Sequence, residues 1–187
     1  MNVILIGYRA SGKSSAGRHL AQKLKLSFVD TDQLIEEASG LAIKDMIALN
    51  GWPVFREKEK EAVASLKDKS LYVASTGGGV ILDEENRMTL KSLGPVIYLQ
   101  TPVSDILERL TRDAEEEKTR PQFTAGSLAE ETQAVLSQRI PLYEAFADFT
   151  VDTEGKSVVR VAEEIYERLL EQGVVSEINK EKKKLKR

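Results

Sequence analysis

The sequence predicts an α/β protein with three layers, α-β-α, around a central five-stranded parallel sheet. Three observations carry that expectation. Short apolar runs alternate with longer stretches of helical periodicity, the pattern of a parallel sheet covered on both faces. The first run, MNVILIG, passes directly into a glycine-containing loop and then an amphipathic segment, so it reads as a strand and not as a leader peptide. Three of the run ends carry short polar or glycine-rich groups, GYRASGKS, DTD and TGGG. In such sheets the carboxyl ends of the strands form the ligand crevice, so these three should meet.

Taken in order, NVILIG (2–7) is a buried strand, and KSSAGRHLAQKL follows with Ala16, Leu20 and Leu24 at helical spacing. LSFVD (26–30) is a second strand. Residues 33–68 are helical but punctuated by Gly40, Gly51 and Pro53. LYVAST (71–76) is a third strand ending in three glycines, DEENRMTLKSLG a helix with a glycine stop, and PVIYLQ (95–100) a fourth strand. Residues 102–111 are helical. RDAEEEKTRPQFTAG (112–126) is charged, poor in apolar residues and closed by Pro and Gly, which reads as a long surface loop. A helix over 127–147 is expected to break or bend near Pro141. DFTVDT (148–153) is the last strand, and Val158, Ala162, Ile165 and Leu169 mark a final amphipathic helix.

At 187 residues, 41% hydrophobic and 30% charged, the chain suits one domain over 1–172 with a substantial core. No apolar run is long enough to cross a bilayer, and there is no cysteine for a disulfide or a thiolate metal site, which fits a cytoplasmic protein. The net charge of −3 is uneven: residues 180–187, KEKKKLKR, hold six positive charges and one negative, which leaves −8 on the rest. An acidic body argues against nucleic acid as a partner. The basic segment 173–187 is expected to be a flexible, solvated end. Neither a nucleic acid nor a membrane partner is expected, and the chain is taken as a monomer.

GYRASGKS (7–14) fits G-x-x-x-x-G-K-[ST], after a strand and before a helix, which is the context that gives the pattern meaning. Backbone N–H groups and the helix N-terminus would cradle phosphates. Lys13 would reach the β- and γ-phosphates, and the Ser14 hydroxyl would ligate Mg²⁺. The loop residues Ala10, Ser11, Gly12, Lys13, Ser14 and Ser15 are therefore the candidate nucleotide site. Tyr8 and Arg9 stand in variable positions and suggest no chemistry, and His19 reads as a helix-surface residue. The chain has no N-K-x-D guanine motif and is short for a motor. A small kinase or a non-catalytic nucleotide switch remains.

In FVDTDQ, Asp30 and Asp32 are spaced to face one side of an extended chain. Two carboxylates so close need a cation or donor between them. Asp32, or the Thr before it, could also cap the helix that begins at QLIEEAS. GWPVFREKE sets Arg56 and Glu59 at i, i+3, facing one way on a helix, where the arginine either pairs with Glu59 or serves a ligand. KTRPQF places Arg120 in the long loop, and QRIPLY places Arg139 before the expected break.

Together, GYRASGKS, DTD, the G-x-x-x-F-R-x-x-E pattern, GGG, the R-P of the long loop and R-x-P-L-Y make the chain resemble the shikimate kinase family over about residues 2–172. The resemblance implies a P-loop kinase fold with a substrate-binding subdomain at about 33–61 and a mobile lid at about 112–126. It implies transfer of the γ-phosphate of ATP, with Mg²⁺, to the 3-hydroxyl of shikimate on the route to chorismate. By motif position, Asp32, Arg56, Gly78 and Arg139 are the expected shikimate set. Lys13, Asp32 and Arg120, the lid arginine, are the expected catalytic set. Asp30 would hold Mg²⁺ through water beside Ser14. Lys156 matches an adenine-side contact loosely, with Arg109 and Arg112 as rivals. A gluconate-type kinase or a catalytically silent kinase-like protein is the alternative. Both are disfavoured, because the full motif series and every catalytic position are present. Ala10, Trp52-Pro53 and Gln122-Phe123 depart from the family pattern, and Ala10 suits its position only if its φ is negative.

Overall fold

The computed structural model describes residues 1–113 and 128–185. Five parallel strands, β1 (Val3–Ile6), β2 (Ser27–Asp30), β3 (Tyr72–Ser75), β4 (Val96–Gln100) and β5 (Phe149–Asp152), form one sheet in the order β2-β3-β1-β4-β5. The central strand β1 is wholly enclosed, all four of its residues being 0% exposed. Alternation along β1 sends Val3 and Leu5 to one face and Ile4 and Ile6 to the other. This is why it reads as an unbroken apolar run.

On the first face pack α1 (Lys13–Leu24), α7 (Val158–Glu171) and α8 (Val174–Leu185), with Leu20, Leu24, Ile165 and Leu169 against Leu5, Val73 and Leu99. On the second, α3 (Ile43–Ser65), α4 (Glu84–Leu93) and α6 (Leu128–Phe146) supply Val63, Leu90 and Tyr143 against Ile4, Ile6 and Tyr98. Tyr143 stacks on Tyr98 with ring centroids 4.9 Å apart. α2 (Thr31–Ser39) and the first half of α3 hold a smaller cluster of their own, Ile35, Ile43, Met46, Ile47 and Phe55. α5 (Val103–Asp113) leads toward α6, with Tyr8, Ile106, Leu110 and Leu136 packed together.

Several local expectations change. α6 runs through Pro141 without interruption. Proline removes one hydrogen bond and crowds the carbonyl four residues earlier, a local cost set against the burial of Leu136, Arg139 and Tyr143 on either side. Residues 112 and 113, expected in the long loop, still belong to α5. The remainder of that loop, with Arg120, Gln122 and Phe123, lies outside the described residues. The segment expected to be a flexible end is helical through Leu185. Val175 and Ile178 join the first-face core, the Met1 amine pairs with Glu181, and Lys182 Nζ donates to the Leu24 carbonyl. Its charges had masked two well-spaced apolar residues. In α7 the buried stripe begins at Val161, and Val158 is half-exposed. No described helix is long and apolar enough to cross a membrane.

Candidate active site

The carboxyl ends of β1, β2 and β3 meet through hydrogen bonds between their loops. Ser14 Oγ, in the first turn of α1, donates to Asp30 Oδ2 at 2.7 Å and lies 3.1 Å from Ser75 Oγ at the end of β3. The Gly77 amide donates to Thr31 Oγ1 at 3.1 Å, and Thr76 Oγ1 donates to the Leu5 carbonyl at 3.0 Å. The three chemistry-bearing strand ends therefore share one rim.

Gly12 precedes α1 with φ +87°, a left-handed conformation in which glycine is unstrained. It leaves the free N–H groups of the first helical turn facing the loop. Lys13 is buried, its Nζ donating to the Tyr8 carbonyl at 2.7 Å and to Ser11 Oγ at 3.3 Å. The ammonium is thus folded across the cradle that a phosphate would fill. Ala10 has φ +59°, not the negative value that would suit alanine. Its carbonyl accepts from Arg109 Nη1 at 3.0 Å, which ties the strained turn to α5.

Around this loop opens a polar cleft of about 1150 Å³ including its mouth. Arg9, Lys13, Arg109, Arg112 and Lys156 line it, opposed by Asp30 and Asp32. That excess of cations suits a polyphosphate. All three adenine-side candidates border it. Lys156 Nζ is held by the Asp152 carbonyl and Glu164, each at 2.8 Å. Ser14 and Asp30 offer the hard oxygen donors that Mg²⁺ prefers.

The two aspartates reach the rim by different routes. Asp30, not Asp32, is the N-cap of α2, its Oδ1 accepting from the Asp32 amide at 3.0 Å. Asp32 sits inside the first helical turn, so helix geometry and not strand alternation aims it. α2 begins at Thr31, two residues before the expected start.

Next to the cleft lies a second pocket of about 530 Å³ including its mouth and the solvent within it. Arg56 and Arg139 reach it with Asp32, Glu59 and the glycines 77–79. Arg56 Nη1 donates to Glu59 Oε2 at 2.7 Å. Glu59 is 1% exposed, and burial raises its pKa above the ordinary carboxylate value while Arg56 pulls the other way. A Cβ on Gly79 would stand 2.4 Å from Arg56 Nη1, so a side chain there would displace the guanidinium from its present place. Arg139 is buried and donates to the Gly78 carbonyl at 3.2 Å, an oxygen that also accepts from Tyr143 Oη. Arg56, Asp32, Gly78 and Arg139 thus line one pocket beside the loop that holds Lys13.

The apolar side of this pocket is formed by Ile43, Ile47, Trp52 and Phe55, which sequence reasoning did not assign. Trp52 and Phe55 meet edge to face with centroids 5.7 Å apart, and the Arg56 guanidinium lies 5.4 Å from the Trp52 ring centre. The i, i+4 spacing of Trp52 and Arg56 is the signal that could have found this wall. Tyr8 and Arg9 also line it.

A phosphate cradle beside a pocket rich in arginine and carboxylate, on this sheet order, defines a P-loop kinase of small molecules. The shikimate kinase family model matches residues 9–170. A shikimate kinase from Syntrophus aciditrophicus is 41% identical over 179 residues, covering 91% of this chain and 92% of the relative. One from Oleidesulfovibrio alaskensis is 43% identical over 150 residues, covering 80% and 87%. Among solved structures, the Acinetobacter baumannii shikimate kinase in complex with shikimate superposes with a TM-score of 0.85 at 34% identity, covering 91% of this chain and 93% of that one. The Aquifex aeolicus shikimate kinase gives 0.77 at 32% identity, covering 92% and 97%. The chain belongs to the shikimate kinase family.

Proposed function

We propose that this protein transfers the γ-phosphoryl group of ATP to the 3-hydroxyl of shikimate, forming ADP and shikimate 3-phosphate on the route to chorismate. The observation that carries the reading is the junction of the two pockets: Asp32 and Gly78 border both the cation-lined cleft and the arginine-bearing pocket. Shikimate has a carboxylate at one end and hydroxyls at the other. Guanidinium forks fix a carboxylate through two parallel bonds, so Arg56 and Arg139 bind the acid end. Asp32, an acceptor at the junction, orients the attacking hydroxyl and takes its proton late in the step.

Phosphoryl transfer passes through a loose transition state, so positioning and charge neutralisation dominate. In this reading Lys13 leaves the Tyr8 carbonyl for the phosphates, and the loop amides hold the β- and γ-oxygens. Ala10, Ser11, Gly12, Ser14 and Ser15 complete the cradle, and Lys156 lies toward the base. Ser14 would hold Mg²⁺ directly and Asp30 through water. Mg²⁺ supplies charge neutralisation across the phosphates when bound. Arg120 is assigned to a lid within 112–126 that excludes water. The working unit is a cytoplasmic monomer, one domain that runs through α8 with a substrate subdomain at about 33–61, independent of nucleic acid and membrane. The small separate core beneath α2 and α3 supports that subdomain.

The test is coupled ADP release with ATP and Mg²⁺ in the presence of shikimate, gluconate or no acceptor. Release confined to shikimate is expected. Equal rates with gluconate, or with no acceptor, would overturn the reading.

A further inference from the structure

Among the described residues, three border both pockets, and two of these carry side chains, Asp32 and Arg9. Asp32 serves the acceptor alcohol, while Arg9 has no part in that reading. The loop pattern G-x-x-x-x-G-K-[ST] asks for no cation at its third position. Yet Arg9 is held in a built setting. Its Nη2 donates to Glu131 Oε1 on α6 at 3.2 Å, with side-chain exposures of 11% for Arg9 and 0% for Glu131. A carboxylate sealed from water is tolerated only beside a cation, so Glu131 fixes where the guanidinium lies. The glycine turn passes close to this backbone, because a Cβ on Gly78 would stand 3.2 Å from the Arg9 amide nitrogen. A preset positive charge therefore borders the wall between the nucleotide and the acceptor.

We propose that Arg9 is a catalytic residue of the phosphoryl-transfer step, meeting the oxygens of the group as it crosses between the pockets. The inference rests on the functional reading above. In the step, the bond from the acceptor oxygen to phosphorus forms as the bond from phosphorus to the bridging oxygen of ADP breaks. The alcohol proton passes to Asp32, and Arg9 keeps its own protons throughout. Negative charge spreads over the three equatorial oxygens of the passing group. A guanidinium already oriented by Glu131 stabilises that charge without reorganising, and its planar fork matches phosphate oxygens.

The competing role is a brace between the phosphate loop and α6. Arg9→Met, Glu131→Gln and the double variant separate the two, each measured for melting temperature, kcat and both KM values in the shikimate-dependent assay. Arg9→Met is expected to lower kcat about 100-fold, the size seen on removing one preorganised donor, with shikimate KM changed less than about threefold. Each single change breaks this part-buried ion pair and lowers the melting temperature. The double variant is expected to recover most of that loss while kcat stays low, and Arg9→Lys to retain more turnover than Arg9→Met. Recovery of kcat along with melting temperature would make Arg9 a brace. Unchanged kcat in Arg9→Met, or a loss confined to KM, would equally overturn the proposal. A wild-type protein that releases ADP no faster with shikimate than without acceptor overturns the functional reading itself, and the role of Arg9 with it.

Discussion

Replacing Arg56 by methionine keeps an unbranched apolar stem but takes the cation from beside Glu59, whose carboxylate is 1% exposed and 2.7 Å from Arg56 Nη1. Breaking a fully enclosed pair by removing one partner costs about 3–5 kcal/mol. The Arg56 side chain is 26% exposed, so solvent already screens part of the attraction. A loss of about 2–3 kcal/mol near pH 8 is therefore expected. For a protein of this size that lowers the melting temperature by about 4–12 °C. The loss depends on pH. Burial raises the Glu59 pKa in the folded state, with Arg56 as the largest opposing influence. A group that binds its proton more tightly when folded supports the fold at low pH and withdraws that support as pH rises through the folded value. Without Arg56 that pKa rises further, so the deficit should be full at pH 8 and shrink toward pH 5 as Glu59 takes up its proton. Thermal unfolding followed by circular dichroism at both pH values measures this. Equal deficits at pH 5 and pH 8, or none at either, would refute the reasoning.

Asp32→Asn should abolish most turnover yet leave the melting temperature within about 2 °C, because the cap of α2 is Asp30 and its loss alone is worth ~1 kcal/mol; steady-state kinetics and unfolding of the same sample check both halves. Arg139→Ala should raise shikimate KM by about 10–100-fold, as expected for losing a charged hydrogen bond, with ATP KM nearly unchanged. Equal effects on the two substrates would place Arg139 elsewhere. Ala10→Gly removes an alanine from φ +59° and should raise the melting temperature by about 1–3 °C, the relief of left-handed strain being partly offset by the flexibility of glycine when unfolded.

The phosphate loop is legible in the sequence because its chemistry is contiguous: strand, glycine turn, lysine and helix follow one another, and α1 spans Lys13–Leu24 as its periodicity indicates. The five strands are legible for the same reason, since a buried parallel strand is a local apolar run. What depends on contacts distant along the chain is not. The wall made by Ile43, Ile47, Trp52 and Phe55 exists only because α3 changes direction at Gly51, where φ is +79° and ψ 170°. Arg9 and Glu131 are 122 positions apart, and neither has a local pattern that announces the other. That Asp30 and not Asp32 caps α2 turns on a two-residue difference in where the helix begins. Residues 174–185 look solvated by charge, whereas Val175 and Ile178 are sufficient to seat them on α7 and the sheet.

The central claim is that the two adjoining pockets serve a single transfer, from the nucleotide cleft to one alcohol of the acceptor. Its most direct test is phosphorus and proton NMR of the product formed from ATP, Mg²⁺ and shikimate. One phosphate ester is expected, at the 3-oxygen, in equal amount to the ADP formed. ADP accompanied by free phosphate, or an ester at another oxygen, would contradict it.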